Sequence, residues 1–362
     1  MTAYLFRRLL LIFPTILGIL LLNFIIVQAA PGGPVEQMVA ELQGFDTGAT
    51  SRLGGTTEEA SLSSLELDEH QGSRAISKEL LDKIKKQYGF DRPAPERFLK
   101  MLKEYLTFDL GKSFFRSIKV TDLIWEKLPV SISLGLWSTL LVYLISIPLG
   151  IYKALRQGTA FDAWSSTFIT VGYAIPSFLF AMLLIILFSG GSYWQLFPLR
   201  GLTSDNFDEL TLIGKISDYI WHMVLPITAM IIGSFATLTM LTRNSFLEEI
   251  RKQYVITARA KGLKDSQILI RHIFRNAMLL VISGFPAALI GILFTNSLLI
   301  EIIFSLDGLG LLGFEAMIQR DYPVVFGTLY VFTLIGLLVK LAGDLTYTWV
   351  DPRITFDARS GL

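Results

Sequence analysis

The stretch VSISLGLWSTLLVYLISIPLGIY, residues 130–152, contains no charged side chain. A helix that crosses the roughly 30 Å hydrocarbon core of a bilayer needs about 20 mostly apolar residues. Six stretches qualify, near Leu9–Ala30, Val130–Tyr152, Ala163–Phe188, Ile220–Leu241, Ala277–Ile300 and Val324–Val350. They are continuously apolar rather than alternating, and backbone groups in lipid must be hydrogen-bonded internally. The sequence therefore predicts an all-α polytopic membrane protein with six transmembrane helices.

The composition of the whole chain agrees with a membrane protein. Of its 362 residues, 52% are hydrophobic and only 17% are charged, and the mean hydropathy is +0.53. Soluble domains contain about 25% charged residues. A net charge of +1 gives no reason to expect nucleic acid as a partner. Because the chain has no cysteine and its three histidines are scattered, we expect neither a disulfide framework nor a metal site.

The first apolar segment allows two interpretations. Arg7 and Arg8 precede it and Val27-Gln28-Ala29 ends it, which is the pattern of a signal peptide with a cleavage site. The apolar run is longer than the usual core of a signal peptide, however, and five more spans follow. We expect residues 1–30 to be retained as the first transmembrane helix.

The orientation in the membrane follows from the Lys and Arg residues of the short loops. With the amino terminus inside, the cytoplasmic pieces are 1–8, 153–162, 242–276 and 351–362. Their basic residues are Arg7, Arg8, Lys153, Arg156, Arg243, Arg251, Lys252, Arg259, Lys261, Lys264, Arg271, Arg275, Arg353 and Arg359. The short outer loops, 189–219 and 301–323, contain only Arg200, Lys215 and Arg320. This asymmetry predicts that both termini are cytoplasmic.

The chain divides into loops and a membrane core. Residues 31–129 form a large external loop, in which 41–75 are rich in Gly, Ser, Thr and acidic residues and are expected to be disordered. A tolerated insertion and a specific docking tail both stay open for this stretch. Residues 77–106 are expected to be helical, since their apolar residues recur at helical spacing. A five-helix core, 130–350, and a cytoplasmic tail, 351–362, follow.

The cytoplasmic loop 247–276 has the most specific pattern outside the spans. Four residues fall on one face of a helix: Ile250, Tyr254, Val255 and Ala258. Gly262 is a natural helix end, and Asp265 or Ser266 can cap the next helix. Small residues at 258, 260 and 262 would let another surface approach closely. The pattern predicts a short helix along the cytoplasmic face and then a sharp turn; a basic loop that only fixes the topology is the alternative.

The last external loop, 301–323, contains the apolar, glycine-rich stretch Asp307-Gly308-Leu309-Gly310-Leu311-Leu312-Gly313. Such a stretch must bury its apolar side chains, and we expect it to dip back between the helices at the outer mouth of a pore.

Few polar groups lie inside the spans. Candidates for lining a pore are Thr295, Asn296 and Ser297, for which a hydrogen bond between helices is the alternative. Lys340 and Asp344 stand at i and i+4 on the last helix and can pair with each other. A chain of buried carboxylates is absent from the sequence, which argues against a self-contained secondary transporter driven by protons or sodium ions.

The sequence gives no sign of catalysis. Gly111-Lys112-Ser113 resembles the end of a phosphate-binding loop, but Leu106 stands where that loop needs glycine. We therefore expect a non-enzymatic protein whose driving energy comes from a partner. A membrane-anchored sensor or scaffold, the other alternative, would need a recognisable soluble output domain.

Four stretches, in order, resemble the dipeptide/oligopeptide class of ABC-importer permeases over nearly the whole chain. The first, YLFRRLLLIFPTILGILLLNFIIVQAAPGGP, is similar to that family's first helix and its exit, and QYGFDRPAPERFLKML with FDLGKSF to its external helices. RNSFLEEIRKQYVITARAKGLKDSQILIRHIFRNAMLLVI resembles its cytoplasmic coupling loop, and FSLDGLGLLGFEAMIQRDYPVVFG its last external loop. The chain departs from the family in the inserted acidic stretch 41–75. It also has Ile256, Thr257 and Ala258 where the strict signature has Glu-Ala-Ala.

The resemblance implies a type I ABC importer permease-like fold in the bacterial inner membrane. It implies that this subunit forms half of a translocation path beside a second homologous permease. An ABC ATPase with two sites, fused or separate, would bind ATP-Mg, so this chain would need no cofactor. A periplasmic substrate-binding protein would deliver peptide cargo, including peptide-nucleotides of the microcin C kind.

The resemblance also implies roles for particular residues. An ATPase coupling helix would contain Tyr254, Ala258, Ala260, Gly262 and Leu263. A periplasmic loop that meets the binding protein or its cargo would contain Asp307, Gly308, Gly310, Arg320, Asp321 and Tyr322.

Overall fold

The structure is a computed structural model that describes residues 2–29, 92–190, 193–294 and 297–350. Its helices are α1 Thr2–Ala29, α2 Ala94–Leu106, α3 Val120–Leu155, α4 Ala160–Ala174, α5 Ser177–Phe188, α6 Leu212–Ile250, α7 Gln253–Ala260, α8 Asp265–Ile268, α9 Phe274–Phe294, α10 Ser297–Ile303, α11 Leu309–Gln319 and α12 Tyr322–Val350. A five-residue π-helix, Leu269–Ile273, joins α8 to α9. Within these ranges the extended structure is confined to one isolated bridge between Lys112 and Lys119. The predicted all-α class is confirmed.

The membrane-crossing elements agree with the predicted number. In the described part of the chain, five helices are long and apolar enough to cross a bilayer, and the bent pair α4–α5 adds a sixth if the two helices are counted as one span. Large apolar side chains such as Trp164 and Phe168 lie exposed on α4. In water such exposure would be costly, but it suits a surface that faces hydrocarbon.

The third span is not the continuous helix that Ala163–Phe188 suggested. Its two halves, α4 and α5, meet at an angle of 96°. Pro176 lacks a backbone N–H and its ring disfavours a helical conformation at the preceding residue. Ile175 accordingly adopts an extended conformation with φ −85° and ψ 120°, and α5 begins after the proline.

The helices also extend beyond the predicted spans. α3 begins at Val120 rather than Val130, and α6 runs to Ile250 rather than Leu241. Hydropathy locates the part of a helix that lies in hydrocarbon, whereas local capping sets its ends. Thr211, for example, caps α6 by accepting a hydrogen bond from the Gly214 N–H at 3.3 Å.

The chain forms two compact units, and the larger comprises the described residues within Met1–Arg8, Val130–Leu306 and Ile335–Leu362. One of its apolar clusters joins α3, α5, α6 and α10 through residues that include Leu134, Ala181, Met223 and Ile300. The other joins the far part of α3 to α6, α7 and α9. Asp344 of α12 pairs in this unit with Arg8 of α1, not with Lys340 as the sequence suggested.

The second unit comprises the described residues within Leu9–Pro129 and Asp307–Leu334. Aromatic rings pack in its interior: Phe24 lies 5.3 Å from Phe98 between ring centroids, and Tyr105 lies 5.3 Å from Tyr330. The predictions for 41–75, for the helix before α2 and for the tail 351–362 fall outside the described residues.

Candidate functional site

The helix expected in the 247–276 loop lies at Gln253–Ala260, as α7. It follows α6 after an extended Lys252, with φ −72° and ψ 149°, and it ends at Lys261. Gly262 then has φ +81°, a left-handed conformation that side chains with a Cβ rarely adopt. A short helix followed by a sharp turn is therefore present where the sequence suggested it.

The structure divides the predicted coupling residues between two faces of α7. Ala258 is buried with Val255 against α6 and the start of α9, so it is not available to a partner. Ala260 and Gly262 are exposed. Tyr254 and Leu263 are half-buried and pack against the same apolar cluster.

The outward face of α7 also contains Ile256, whose side chain is 53% exposed and which the sequence interpretation missed. Helical spacing could have found it, because Ile256 stands one turn before Ala260 and away from the buried Val255. An exposed isoleucine on a polar segment offers apolar area to another surface.

Glu249, at the end of α6, connects that helix to α7. Its carboxylate accepts a hydrogen bond from the Tyr254 hydroxyl at 2.7 Å and pairs with Lys252. This hydrogen bond from Lys252 to the carboxylate raises the pKa of the lysine, and burial raises the pKa of the tyrosine. Both side chains therefore keep their protons near neutral pH, and the connection holds.

The cap expected for the next helix is different in the structure. Lys264, not Asp265 or Ser266, is the residue that precedes α8, and Asp265 is the first helical residue. The Asp265 carboxylate instead accepts a hydrogen bond from the Arg259 Nε at 2.9 Å. Because both side chains are more than half exposed, this ion pair contributes little to stability.

A buried ionic cluster lies in the same unit and was not foreseen from the sequence. The Asp162 carboxylate accepts hydrogen bonds from Arg243 at 2.8 Å and 2.6 Å. Lys153, fully buried, lies 3.3 Å from the same carboxylate and also donates to the hydroxyls of Ser165 and Ser166. The cluster ties together the end of α3, the start of α4 and α6.

A cavity of about 590 Å³ opens between α3, the α4–α5 break, α6 and α9. The described residues that line it include no charged side chain. Their hydroxyls belong to Tyr143, Tyr173, Ser177, Ser234 and Thr237. Of the residues predicted to line a pore, Thr295 and Asn296 lie outside the described residues. Ser297 is buried at the start of α10 and does not line this cavity.

The last loop folds into α11, a short apolar helix with Gly308 as its N-cap and Gly310 in its first turn. Leu309, Leu312 and Ala316 are buried along one side. Arg320 ends α11 in a left-handed conformation, with φ +56°, and Tyr322 begins α12.

The acidic residues of this loop bind the segment before α3 and its first turns. Asp307 pairs with Lys127, and Glu315 lies 2.7 Å from Arg116. Asp321 is 3% exposed and accepts hydrogen bonds from the Ser113 hydroxyl at 2.5 Å and the Phe114 N–H at 3.1 Å. Burial raises the pKa of Asp321. Asp321 is therefore an internal anchor, whereas the Asp307 side chain stays 61% exposed.

Comparison with known proteins identifies the family to which the chain belongs. Residues 146–356 match the family model for the binding-protein-dependent transport system inner membrane component. The chain is 58% identical to the inner membrane ABC transporter permease protein YejB of Escherichia coli O157:H7, over 99% of this chain and all of that one. It is 55% identical to the peptidoglycan transport system permease protein YejB of Agrobacterium fabrum, over 99% of this chain and all of that one.

A more distant relative, the oligopeptide transport system permease protein AppB of Bacillus subtilis, is 33% identical over 98% of this chain and all of that one. The matches extend over the whole length of these relatives, so the type I permease fold and the transport role implied by the resemblance are confirmed with the family. The chain belongs to the inner-membrane components of binding-protein-dependent transport systems, and it is a multi-pass ABC transporter permease.

Proposed function

We propose that the chain forms half of the path along which an ATP-driven importer moves peptides from the periplasm to the cytoplasm. A second homologous permease forms the other half. The names of two relatives mention peptidoglycan and oligopeptides, and both kinds of molecule contain peptide chains. Peptide-nucleotides of the microcin C kind share that peptide part and are a further cargo in this proposal.

The outward face of α7 is the observation that supports an ATPase partner. The side chain of Ile256, Ala260 and the following Gly262 are solvent-exposed, while Val255 packs the helix against α3, α6 and α9. A movement imposed on α7 by ATPase closure would pass to the transmembrane helices as a rigid-body shift. In this proposal the ATPase domains bind ATP-Mg and hydrolyse it, and the permease itself is not an enzyme and needs no cofactor.

The proposed orientation has both termini and α7 in the cytoplasm, following the distribution of Lys and Arg. The 307–322 loop then faces the periplasm, where a substrate-binding protein would dock. The exposed Asp307 is available for such a contact, whereas the buried Asp321 supports the loop from within.

The test is copurification in mild detergent from native membranes, with mass spectrometry of the recovered proteins. We expect an ABC ATPase and a second permease to accompany the wild-type chain. Ile256→Glu should lose the ATPase and keep the second permease, since a charge would enter an apolar contact. The matched control is Ile213→Glu, because Ile213 is also exposed but lies at the start of α6, in the loop assigned to the opposite side.

Two results would contradict the proposal. Repeated recovery of the folded chain alone would favour a self-contained secondary transporter. Equal loss of the ATPase from both glutamate variants would show that α7 is not the specific contact.

A further inference from the structure

The cavity between α3, the α4–α5 break, α6 and α9 lies half-way along four apolar segments. Tyr143, Pro176, Ser234 and Ala288 each stand near the middle of the segment that contributes them. The cavity is therefore placed near the bilayer centre. Its volume of about 590 Å³ falls in the range of roughly 300–1,000 Å³ typical of small-ligand sites.

The helix break adds polar backbone groups to the lining of the cavity. Residues 175 and 176 interrupt the span, so the last carbonyls of α4 and the first N–H groups of α5 lack intrahelical partners. Non-helical backbone at this depth is tolerated only where protein covers it or where it lines an aqueous space. Ile175, Pro176 and Ser177 all line the cavity.

Hydroxyl groups extend this polar surface. Among the described residues, none forms a hydrogen bond with the side-chain hydroxyls of Tyr143, Ser177 or Ser234. They are free to bond a ligand, and with no charge in the lining they would not select for the charge of that ligand.

Three glycines keep the space open. Gly233, Gly284 and Gly291 line the cavity, and a Cβ added to any of them would meet no atom within 4 Å. Elsewhere in the same unit glycines serve tight packing: a Cβ on Gly150 would lie 2.7 Å from that of Thr242. The glycines of the cavity are thus not required by packing within this chain.

We propose that this cavity is a transmembrane binding site for the peptide cargo, in which hydroxyls and the broken backbone bond peptide groups and the glycines leave room for varied side chains. The inference rests on the proposed peptide import and adds a site inside the membrane to it. A peptide is the occupant that the lining fits, because peptide groups carry both donors and acceptors while the charges of peptides vary.

Because the chain contains no cysteine, a thiol introduced into the cavity can be labelled without a competing thiol in this subunit. Gly233→Cys and Gly284→Cys would each place a single thiol in the cavity. Gly18→Cys is the matched control, since Gly18 also has open space around it but lies on α1 and does not line the cavity. The assembled transporter in vesicles would be treated with a charged methanethiosulfonate reagent, with and without millimolar trialanine on both sides.

We expect both cavity thiols to react, and we expect trialanine to slow their modification several-fold. The thiol of Gly18→Cys should react slowly, at a rate that trialanine does not change. Unreactive cavity thiols would mean that lipid or the second permease fills the space. Reactive thiols without protection would mean an aqueous cavity without peptide. Either result would overturn the inference.

A second pair of variants tests the same site through transport. Gly233→Leu and Gly284→Leu should lower peptide uptake by about tenfold or more, because a side chain would occupy the binding space. Gly18→Leu should leave uptake unchanged. If the leucine variants retain the ATPase and second permease and transport normally, the cavity is not the binding site. If the partners are missing from the wild type, the proposed function itself fails.

Discussion

At the residue scale, Gly262 and Ala258 show how neighbouring small residues serve different purposes. Both were predicted to allow a close approach by another surface. Ala258 is small because it packs inside the chain, whereas Gly262 is exposed and has φ +81°. A Cβ on Gly262 would meet no atom within 4 Å, so backbone conformation alone is the reason for glycine within this chain.

Gly262→Val is expected to weaken ATPase docking while insertion into the membrane stays normal. A left-handed conformation costs a residue with a Cβ about 1–2 kcal/mol, and a β-branched side chain is affected most. The turn after α7 should loosen as a result. Gly262→Asn should keep docking, because asparagine tolerates this conformation. The measurement is the ATPase recovered per permease in copurification.

Gly158→Val is the matched control for this prediction. Gly158 has φ +80° and open space around it, and it lies in the turn before α4, outside α7 and the turn that follows α7. Its substitution should cause the same backbone strain without loss of the ATPase. Normal docking by Gly262→Val, or the same loss in Gly158→Val, would disprove the role assigned to the turn.

At the element scale, the bend in the third span is the feature that most changes what the membrane helices can do. Both arms, α4 and α5, pack against α6, and their junction lines the cavity. A straight helix would close the polar gap in the backbone and leave that part of the cavity apolar.

Spin labels on Trp164→Cys and Ile186→Cys should report this bend, since both side chains are exposed and the chain has no other thiol. At 1.5 Å per residue, a straight helix would separate the two positions by about 33 Å, whereas a bend near a right angle brings them to about 23 Å. We expect double electron–electron resonance spectroscopy to give the shorter distance. Pro176→Ala should broaden the distribution toward longer distances, because it restores the missing backbone donor. A single distance near the straight-helix value in the proline-containing protein would refute the bend.

The sequence predicted the positions of the helices along the chain better than it predicted the angles between them or which of their faces are buried. Apolar runs such as 130–152 located the spans because burial in lipid depends on composition over a long window. Pro176 was visible as a helix breaker, but the angle between α4 and α5 depends on their packing against α6. The inward position of Ala258 depends on the same kind of tertiary contact, so helical spacing found the face without showing which side was buried.

At the scale of the molecule, the cluster of Asp162, Lys153 and Arg243 shows what a single sequence cannot reveal. Each residue stands near the end of an apolar stretch, where a charged residue usually fixes topology. Their partnership across 81 positions appears only in the structure. It joins α3, α4 and α6 in the larger unit, and Arg251, just before α7, also reaches Gln157 between α3 and α4, at 3.1 Å.

Asp162→Asn should therefore destabilise the transporter strongly. Among the residues that the structure describes, Asp162 is the carboxylate that pairs with Lys153 and Arg243, so the substitution leaves these two cations, one of them fully buried, without a counter-charge there. Removing one partner of a buried ion pair costs about 3–5 kcal/mol. The thermal unfolding midpoint of the purified complex should fall clearly. Asp208→Asn should not move it, because the Asp208 side chain is fully exposed and lies 3.8 Å from Lys215. Adding Lys153→Met to Asp162→Asn should recover part of the loss, since it removes the buried unpaired charge.

An unchanged midpoint in Asp162→Asn would show that water or lipid headgroups already neutralise these cations. In that case the cluster would be a solvated surface feature, and α3, α4 and α6 would be held together by their apolar contacts alone.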